Sequence, residues 1–255
     1  MSNIGKFLEF SVRTPDILRS LHFYKTLGFT ELEIGEVWDH KYAVVSDGEL
    51  NIGLHDVEFD APSITFVQQD IAKHARTMTD RGFEFSVMNL GEDEFNELGF
   101  TDRDGHLVAM VEARTFNPSA ESENDSICGS WFELTLPVRD ALSAARFWAP
   151  IAPKLLEMRE EPTTHIRFAA DGVPLGLSES IALEAPSLCF KCQDRDALFS
   201  LLDQQQIPFK KFPGFEGAFT SIQAPEGTML YGFDEDFLGE KYEVDESGDV
   251  SDFPA

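Results

Sequence analysis

The chain has 255 residues, room for one or two domains, and its 42% hydrophobic and 26% charged residues are those of a soluble globular protein. Against 46 Asp and Glu stand only 20 Lys and Arg, a net charge of −26, which lacks the basic footprint that nucleic acid or an anionic membrane surface requires. No apolar run approaches the ~20 residues of a membrane span, the start MSNIGKFLEF lacks a secretory signal's apolar stretch, and three cysteines make no disulfide framework, so a reduced, cytoplasmic protein is expected.

Residues 6–13 alternate, with Leu8, Phe10 and Val12 on one side and Phe7, Glu9 and Ser11 on the other, the period of a strand. Thr14-Pro15-Asp16 then reads as an N-cap followed by proline at the first helical position. Ile17, Leu18, Leu21 and Tyr24 follow at helical spacing, and Gly28 stops the helix. Strands are predicted over 30–37, 42–46 and 51–55, with Asp47-Gly48 as a turn. The same order restarts with a strand at 63–67, a helix from Asp70 to Arg81 closed by Gly82, and strands at 83–88, 95–101 and 106–113. Asp102-Arg103-Asp104-Gly105 joins the last pair. The repeating unit is β-α-β-β-β.

The second half repeats the first. Glu9-Phe10-Ser11-Val12 falls on Glu133-Leu134-Thr135-Leu136, Phe23-Tyr24 on Phe147-Trp148, Asp47-Gly48 on Asp171-Gly172, and Ala61-Pro62-Ser63 on Ala185-Pro186-Ser187. An ordered set of this kind means tandem duplication. The chain therefore divides into a first domain, 1–115, with modules 6–57 and 62–114, and a second, 130–236, with modules 130–181 and 186–236. Residues 116–129 are polar, with Pro118 and several serines, and read as a linker. Residues 237–255 form an acidic tail. The expected class is α+β: each domain pairs two modules into one curved eight-stranded sheet, with helices outside and an open cleft on the other face.

Phe23-Tyr24-Lys25-Thr26-Leu27-Gly28-Phe29, the turn Thr101-Asp102-Arg103-Asp104-Gly105-His106, and Asp70-Ile71 after the strand at Ser63 together resemble the vicinal oxygen chelate superfamily. That superfamily includes glyoxalase I, extradiol ring-cleaving dioxygenases, fosfomycin-modifying enzymes and bleomycin-binding resistance proteins. Phe147-Trp148, Asp171-Gly172 and Ala224-Pro225-Glu226-Gly227 carry the likeness into the second half. The resemblance implies a divalent metal in the cleft, typically held by His on the first strand, Glu or His on the fourth, His on the fifth and Glu on the last. Carried across, those positions hold Glu9, Gly53, Ser63 and Ala109 in the first half, and Glu133, Gly176, Ser187 and Tyr231 in the second. Glycine and alanine offer no donor and serine is a poor ligand for Zn²⁺, Ni²⁺ or Fe²⁺. No metal and no other cofactor is expected at that position.

Of the six histidines, His22 and His74 fall on helices, His40 in a turn, His106 after the Asp-Gly turn, and His165 at the start of a strand. His55, two residues past Gly53, is placed to point into the first cleft beside Glu9. Cys189 and Cys192 have C-x-x-C spacing on a strand, where positions three apart face opposite sides, which argues against a zinc site. The expected lining is Phe7, Glu9, Ser11, His55, Ser63 and Phe95 in the first cleft, and Trp131, Glu133, Ser187 and Tyr231 in the second. The aromatic rings suit flat or apolar ligands, and the glutamates read as anchors for a ligand amine or donor group, as general bases, or as residues hydrogen-bonded to Ser11, Ser63 or Ser187.

The leading expectation is a metal-free small-molecule binding protein of the sequestering or resistance kind, its ligand cationic or aromatic, with no nucleic-acid or membrane partner. A second reading is a lyase, isomerase or dioxygenase whose metal is held by an unconventional set including Glu9 and His55. A third is a protein-interaction module with vestigial clefts. Duplication supplies within one chain what single-domain relatives obtain by dimerising, so a monomer is expected.

Overall fold

A computed structural model describes residues 4–33, 40–91, 96–113, 126–152, 154–160, 163–170, 173–211 and 219–233. The first half contains β1 (Lys6–Arg13), α1 (Ile17–Thr26), β2 (Thr30–Glu31), β3 (Tyr42–Ser46), β4 (Asn51–His55), β5 (Ser63–Gln68), α2 (Ile71–Asp80), β6 (Val87–Asn89), β7 (Glu97–Thr101) and β8 (Leu107–Glu112). The second contains β9 (Ser130–Pro137), α3 (Ala141–Trp148), β10 (Lys154–Arg159), β11 (His165–Ala170), β12 (Val173–Ser178), β13 (Ser187–Lys191), α4 (Arg195–Gln204), β14 (Phe209–Lys211), β15 (Phe219–Gln223) and β16 (Met229–Phe233). Each half builds an eight-stranded sheet, in the order β2-β3-β4-β1-β5-β8-β7-β6 and β10-β11-β12-β9-β13-β16-β15-β14. Within a module the first strand lies parallel to the last, and the two modules meet where β1 runs antiparallel to β5 and β9 to β13. This is the expected α+β architecture of four β-α-β-β-β modules. No helix among the described residues is long and apolar enough to cross a membrane.

Three local readings change. The N-cap of α1 is Asp16, whose Oδ1 accepts the Arg19 N–H at 3.1 Å, while Thr14 instead bonds Ser20 through its hydroxyl. Pro15 thus precedes the cap, and the carboxylate satisfies a first-turn amide that threonine was expected to take. Of the strand predicted over 30–37, β2 forms at Thr30–Glu31 and the Leu32 N–H also donates to Val44 O at 2.9 Å, with residues 34–37 outside the described set. The strand predicted over 83–88 shrinks to Val87–Asn89 because Phe83 turns into the core and packs on Phe100, with ring centroids 5.4 Å apart.

The helix-side faces of both sheets share one continuous core that includes Phe10, Tyr24, Phe66 and Phe100 from the first half and Leu134, Trp148, Phe168 and Phe190 from the second. The duplication is visible in how the halves meet. On one side Tyr24, in the last turn of α1, donates to Glu226 Oε1 at 2.6 Å and Ser20 donates to Glu226 Oε2 at 2.7 Å. On the other, the equivalent Trp148 indole N–H donates to Asp102 Oδ2 at 3.3 Å. Each helix end therefore grips the last hairpin turn of the opposite half. Burial and the neighbouring Glu226 charge hold the Tyr24 phenol well above its ordinary value, so it remains a donor. The end of the expected linker joins this packing: Ser126 and Cys128 are buried, and the Ile127 N–H donates to Leu27 O at 2.9 Å.

Candidate functional site

On the face away from the helices, each sheet buries one glutamate on its central strand. Glu9 on β1 is 1% exposed and Glu133 on β9 is 2% exposed. A buried carboxylate must be hydrogen-bonded or paired, and both are. Glu9 Oε1 accepts the Ser11 hydroxyl at 2.8 Å and lies 2.8 Å from His55 Nε2, while the Tyr42 hydroxyl donates to Oε2. His55 Nδ1 is 2.9 Å from His40 Nε2. On the other side of Glu9, Ser11 contacts the Thr65 hydroxyl at 2.7 Å, and Thr65 lies 3.3 Å from Ser63 Oγ. One hydrogen-bonded chain thus runs from Ser63 on β5 through β1 to His55 on β4 and His40.

Glu133 is built the same way from different residues. Thr135 donates to Oε1 at 2.7 Å, His165 Nε2 is 3.1 Å from Oε1, and Arg167 Nε is 3.4 Å from Oε2. The Arg167 Nη2 group donates to the Phe132 carbonyl at 2.7 Å, and its guanidinium lies over the Phe132 ring at 4.0 Å. Register explains the correspondence: Val44 lies opposite Gly53 as Arg167 lies opposite Gly176, which makes Tyr42 and His165 equivalent. Both meet the carboxylate from the strand next but one.

Glycine makes room for each carboxylate. A Cβ on Gly53 would stand 2.2 Å from Glu9 Oε1, and one on Gly176 would stand 2.1 Å from Glu133 Oε1. No side chain fits there while the glutamate is present.

Burial pushes the Glu133 carboxyl up, but the His165 charge and hydrogen bond, the Thr135 hydroxyl and the Arg167 charge outweigh it and hold the group below its ordinary range. Burial pushes His165 down and Arg159 opposes its charge, while Glu133 and Glu157 outweigh both and raise it. The sign of the linkage follows. A raised histidine stabilises the fold fully below its ordinary 6.5 and loses that contribution as pH rises through the raised value; a lowered carboxyl does so above 4.5 and loses it as pH falls through the lowered value. Urea-unfolding midpoints of wild type and His165→Gln are expected to differ most between these two values, with the gap narrowing on the alkaline side. A gap that stays equally wide in alkaline buffer would refute a charged pair.

Several expected lining residues lie elsewhere. Phe7 and Trp131 do not face the clefts. A register irregularity between Phe7 and Glu9, matched by one between Cys189 and Phe190, puts Phe7 opposite Phe66 and Trp131 opposite Phe190, both core residues. A bulge of one residue exchanges the faces of all that precede it. Phe7 and Trp131 instead stack on each other between the halves, with centroids 6.1 Å apart. Phe95 lies outside the described residues. Ser187 is buried and turns its hydroxyl to Ala185 O at 2.7 Å, away from Glu133. Ser11, His55, Ser63 and Tyr231 stand on the faces expected for them. Neither glutamate is an open anchor, since its own neighbours take its oxygens.

The structure adds residues that pattern alone left aside: His40, Tyr42 and Thr65 around Glu9, and Phe132, His165, Arg167 and Cys189 around Glu133. Phe132, Cys189, Tyr231 and Phe233 form a separate apolar cluster with Leu183, Phe219 and Met229 against it. Tyr231 and Phe219 stack with centroids 5.2 Å apart and planes at 10°. In the first sheet His40, Tyr42 and Phe59 surround the His55 ring at 4.5 to 5.6 Å. The bulge in β9 was the missed signal for Phe132; His165 is the first residue of β11 and His40 precedes β3, where period says little.

A catechol 2,3-dioxygenase structure superimposes on 95% of this chain and 95% of its own, with a TM-score of 0.59 at 14% identity. The 2,3-dioxygenase LapB from Pseudomonas sp. KL28 covers 96% of each chain, with a TM-score of 0.60 at 13% identity. A 2,2',3-trihydroxybiphenyl 1,2-dioxygenase from Sphingomonas wittichii strain RW1 covers 98% of this chain and 94% of its own, at 0.58 and 13%. The chain has the tandem vicinal oxygen chelate fold. At such identities the likeness is one of fold. No protein-family model matches the sequence, and no curated protein matches it.

The donor set does not suit the divalent metal that the fold's resemblance implies. Within this vicinal oxygen chelate fold the fourth-strand position is glycine in both halves, and the last-strand positions are Ala109 and Tyr231. The remaining carboxylates already accept from their own neighbours. Among the described residues no group of three or more His, Cys, Asp or Glu converges as a metal site.

Proposed function

We propose that this chain is a metal-free small-molecule binding protein of the sequestering kind, which holds its ligand on the glutamate-bearing sheet faces. One observation carries the reading: at the position where the fold would place a metal, each half instead has a buried carboxylate standing in space that only glycine leaves open, with three side-chain partners already on it. A carboxylate so engaged is not free to coordinate, but it fixes the groups around it. Tyr42 and His55 in the first half, and His165 and Arg167 in the second, are held in set orientations by the acid beneath them, which lowers the ordering cost of using them on a ligand. Around them stand half-exposed or stacked rings, His40, Phe59, Phe219 and Tyr231, of the kind that bind flat apolar bodies.

Elemental analysis of protein purified without chelators or a metal-binding tag is the direct test. Well under one equivalent of metal is expected, with no rise in melting temperature on adding Zn²⁺, Ni²⁺ or Fe²⁺, and a rise on adding planar aromatic compounds. Near-stoichiometric metal, or stabilisation by metal and not by aromatics, would overturn the reading.

A further inference from the structure

The second sheet sorts its charges by depth. Glu133 and Glu157 lie lowest, 2% and 7% exposed. Above them the side chains of His165 and Arg167 are 18% and 21% exposed. Arg159 is buried with Glu157 and pairs with it. Lys191, half-exposed on the neighbouring β13, reaches over the same Phe132 ring as Arg167, 5.1 Å from its centroid. Among the described residues, Glu133 and Glu157 are thus engaged at the floor, while His165, Arg167 and Lys191 nearer solvent carry N–H donors. Arg167 Nε is itself buried and makes no hydrogen bond within the protein. Among the described residues, the exposed Glu184 lies near Tyr231. Next to this donor layer lies the apolar patch of Phe132, Cys189, Tyr231 and Phe233, with Phe219 stacked on Tyr231.

We infer that the ligand of the second sheet face is a flat aromatic body carrying an anionic group, such as a carboxylate or sulfonate. Its anion meets Arg167, His165 and Lys191 while its ring lies on Tyr231 and Phe219. This rests on the small-molecule binding reading and sharpens it. It also reverses the expectation from net charge: a chain at −26 draws cations at long range, but a site selects by the groups within contact, where a charge-assisted hydrogen bond outweighs a screened field. The first sheet has no counterpart, since Val44 stands where the second has Arg167. Selectivity for an anion is therefore a property of the second face.

Calorimetric titration of the full chain with 2-naphthoate, 2-naphthalenemethanol and 2-naphthylmethylammonium separates the cases. Naphthoate is expected to bind at one site per chain, about tenfold or more tighter than the alcohol, with the ammonium compound weakest. Arg167→Gln is expected to remove that preference. Because Arg167 also pairs with Glu133 and the variant can lose stability, Lys191→Gln serves as the second variant, with a severalfold loss of naphthoate affinity and no change for the alcohol. Equal binding of all three probes, preference for the ammonium, or naphthoate affinity untouched in both variants would overturn the anion assignment while leaving the binding reading standing. No binding of any of the three would remove both.

Discussion

Gly176→Ala is expected to destabilise the protein by about 2–4 kcal/mol, far more than a methyl group normally costs on a strand. Strand propensity alone favours the change, because glycine is entropically costly in the folded state. The cost comes from the Cβ, which would stand 2.1 Å from Glu133 Oε1 and 2.5 Å from its carboxyl carbon. The glutamate can yield only by leaving Thr135, His165 and Arg167, which strands the Arg167 guanidinium and the His165 ring, both mostly buried. Glu133→Ala alone should cost about 3 kcal/mol for the converse reason, the stranding of His165 and Arg167. In the double variant the new methyl occupies space the carboxylate has vacated, so its cost should fall short of the sum by more than about 1 kcal/mol. Urea unfolding of the four proteins in this cycle measures it. Strict additivity would show that glycine and carboxylate do not share the space. The same cycle on Gly53 and Glu9 is expected to give smaller values, since the partners there are two hydroxyls and an imidazole.

The second large effect lies at the junction of the halves. Trp148 is fully buried, packs on Phe147 and Phe168, and reaches Asp102 across the boundary. Trp148→Ala should cost about 3–5 kcal/mol, as large aromatic truncations in closed cores do. Tyr24→Phe, which removes only a hydroxyl and leaves Glu226 with Ser20, should cost about 1 kcal/mol. Because the core is continuous through both halves, the wild type is expected to melt in a single calorimetric transition, with enthalpy matching the van't Hoff value. Two resolved transitions would show that each half folds alone and that the shared core contributes little to cooperativity.

Much of the fold was legible because its signals are local. The period in β1 and the glycine stop of α1 rest on neighbours a few residues away, and they place those elements to within a residue or two. The repeat itself is a comparison of the chain with itself and needs no coordinates. The boundaries that moved did so where tertiary packing competes with pattern: Phe83 left a predicted strand for the core, and Asp16 displaced Thr14 as a cap. The site divided along the same line. Glu9 and Ser11 were readable from alternation, since nothing interrupts the two-residue period between them, while Ser63 came from the resemblance and His55 from its spacing to Gly53. Phe7 and Trp131 were misplaced because a bulge is a property of strand pairing, and one extra residue reverses the face of everything beyond it.

The sequence by itself determined that the chain is a tandem duplication of β-α-β-β-β modules, in which Gly53 and Ser63 of the first half are matched by Gly176 and Ser187 of the second. It determined too that a glutamate lies on each central strand. Only the tertiary structure decided what those glutamates do. It set Tyr42 against Glu9 and His165 against Glu133 across intervening strands, laid Arg167 over Phe132, and showed that Gly53 and Gly176 are empty because a carboxylate fills the space above them. Those facts join residues more than thirty positions apart, and they depend on register, a quantity set jointly by all the strands of a sheet rather than by any one of them.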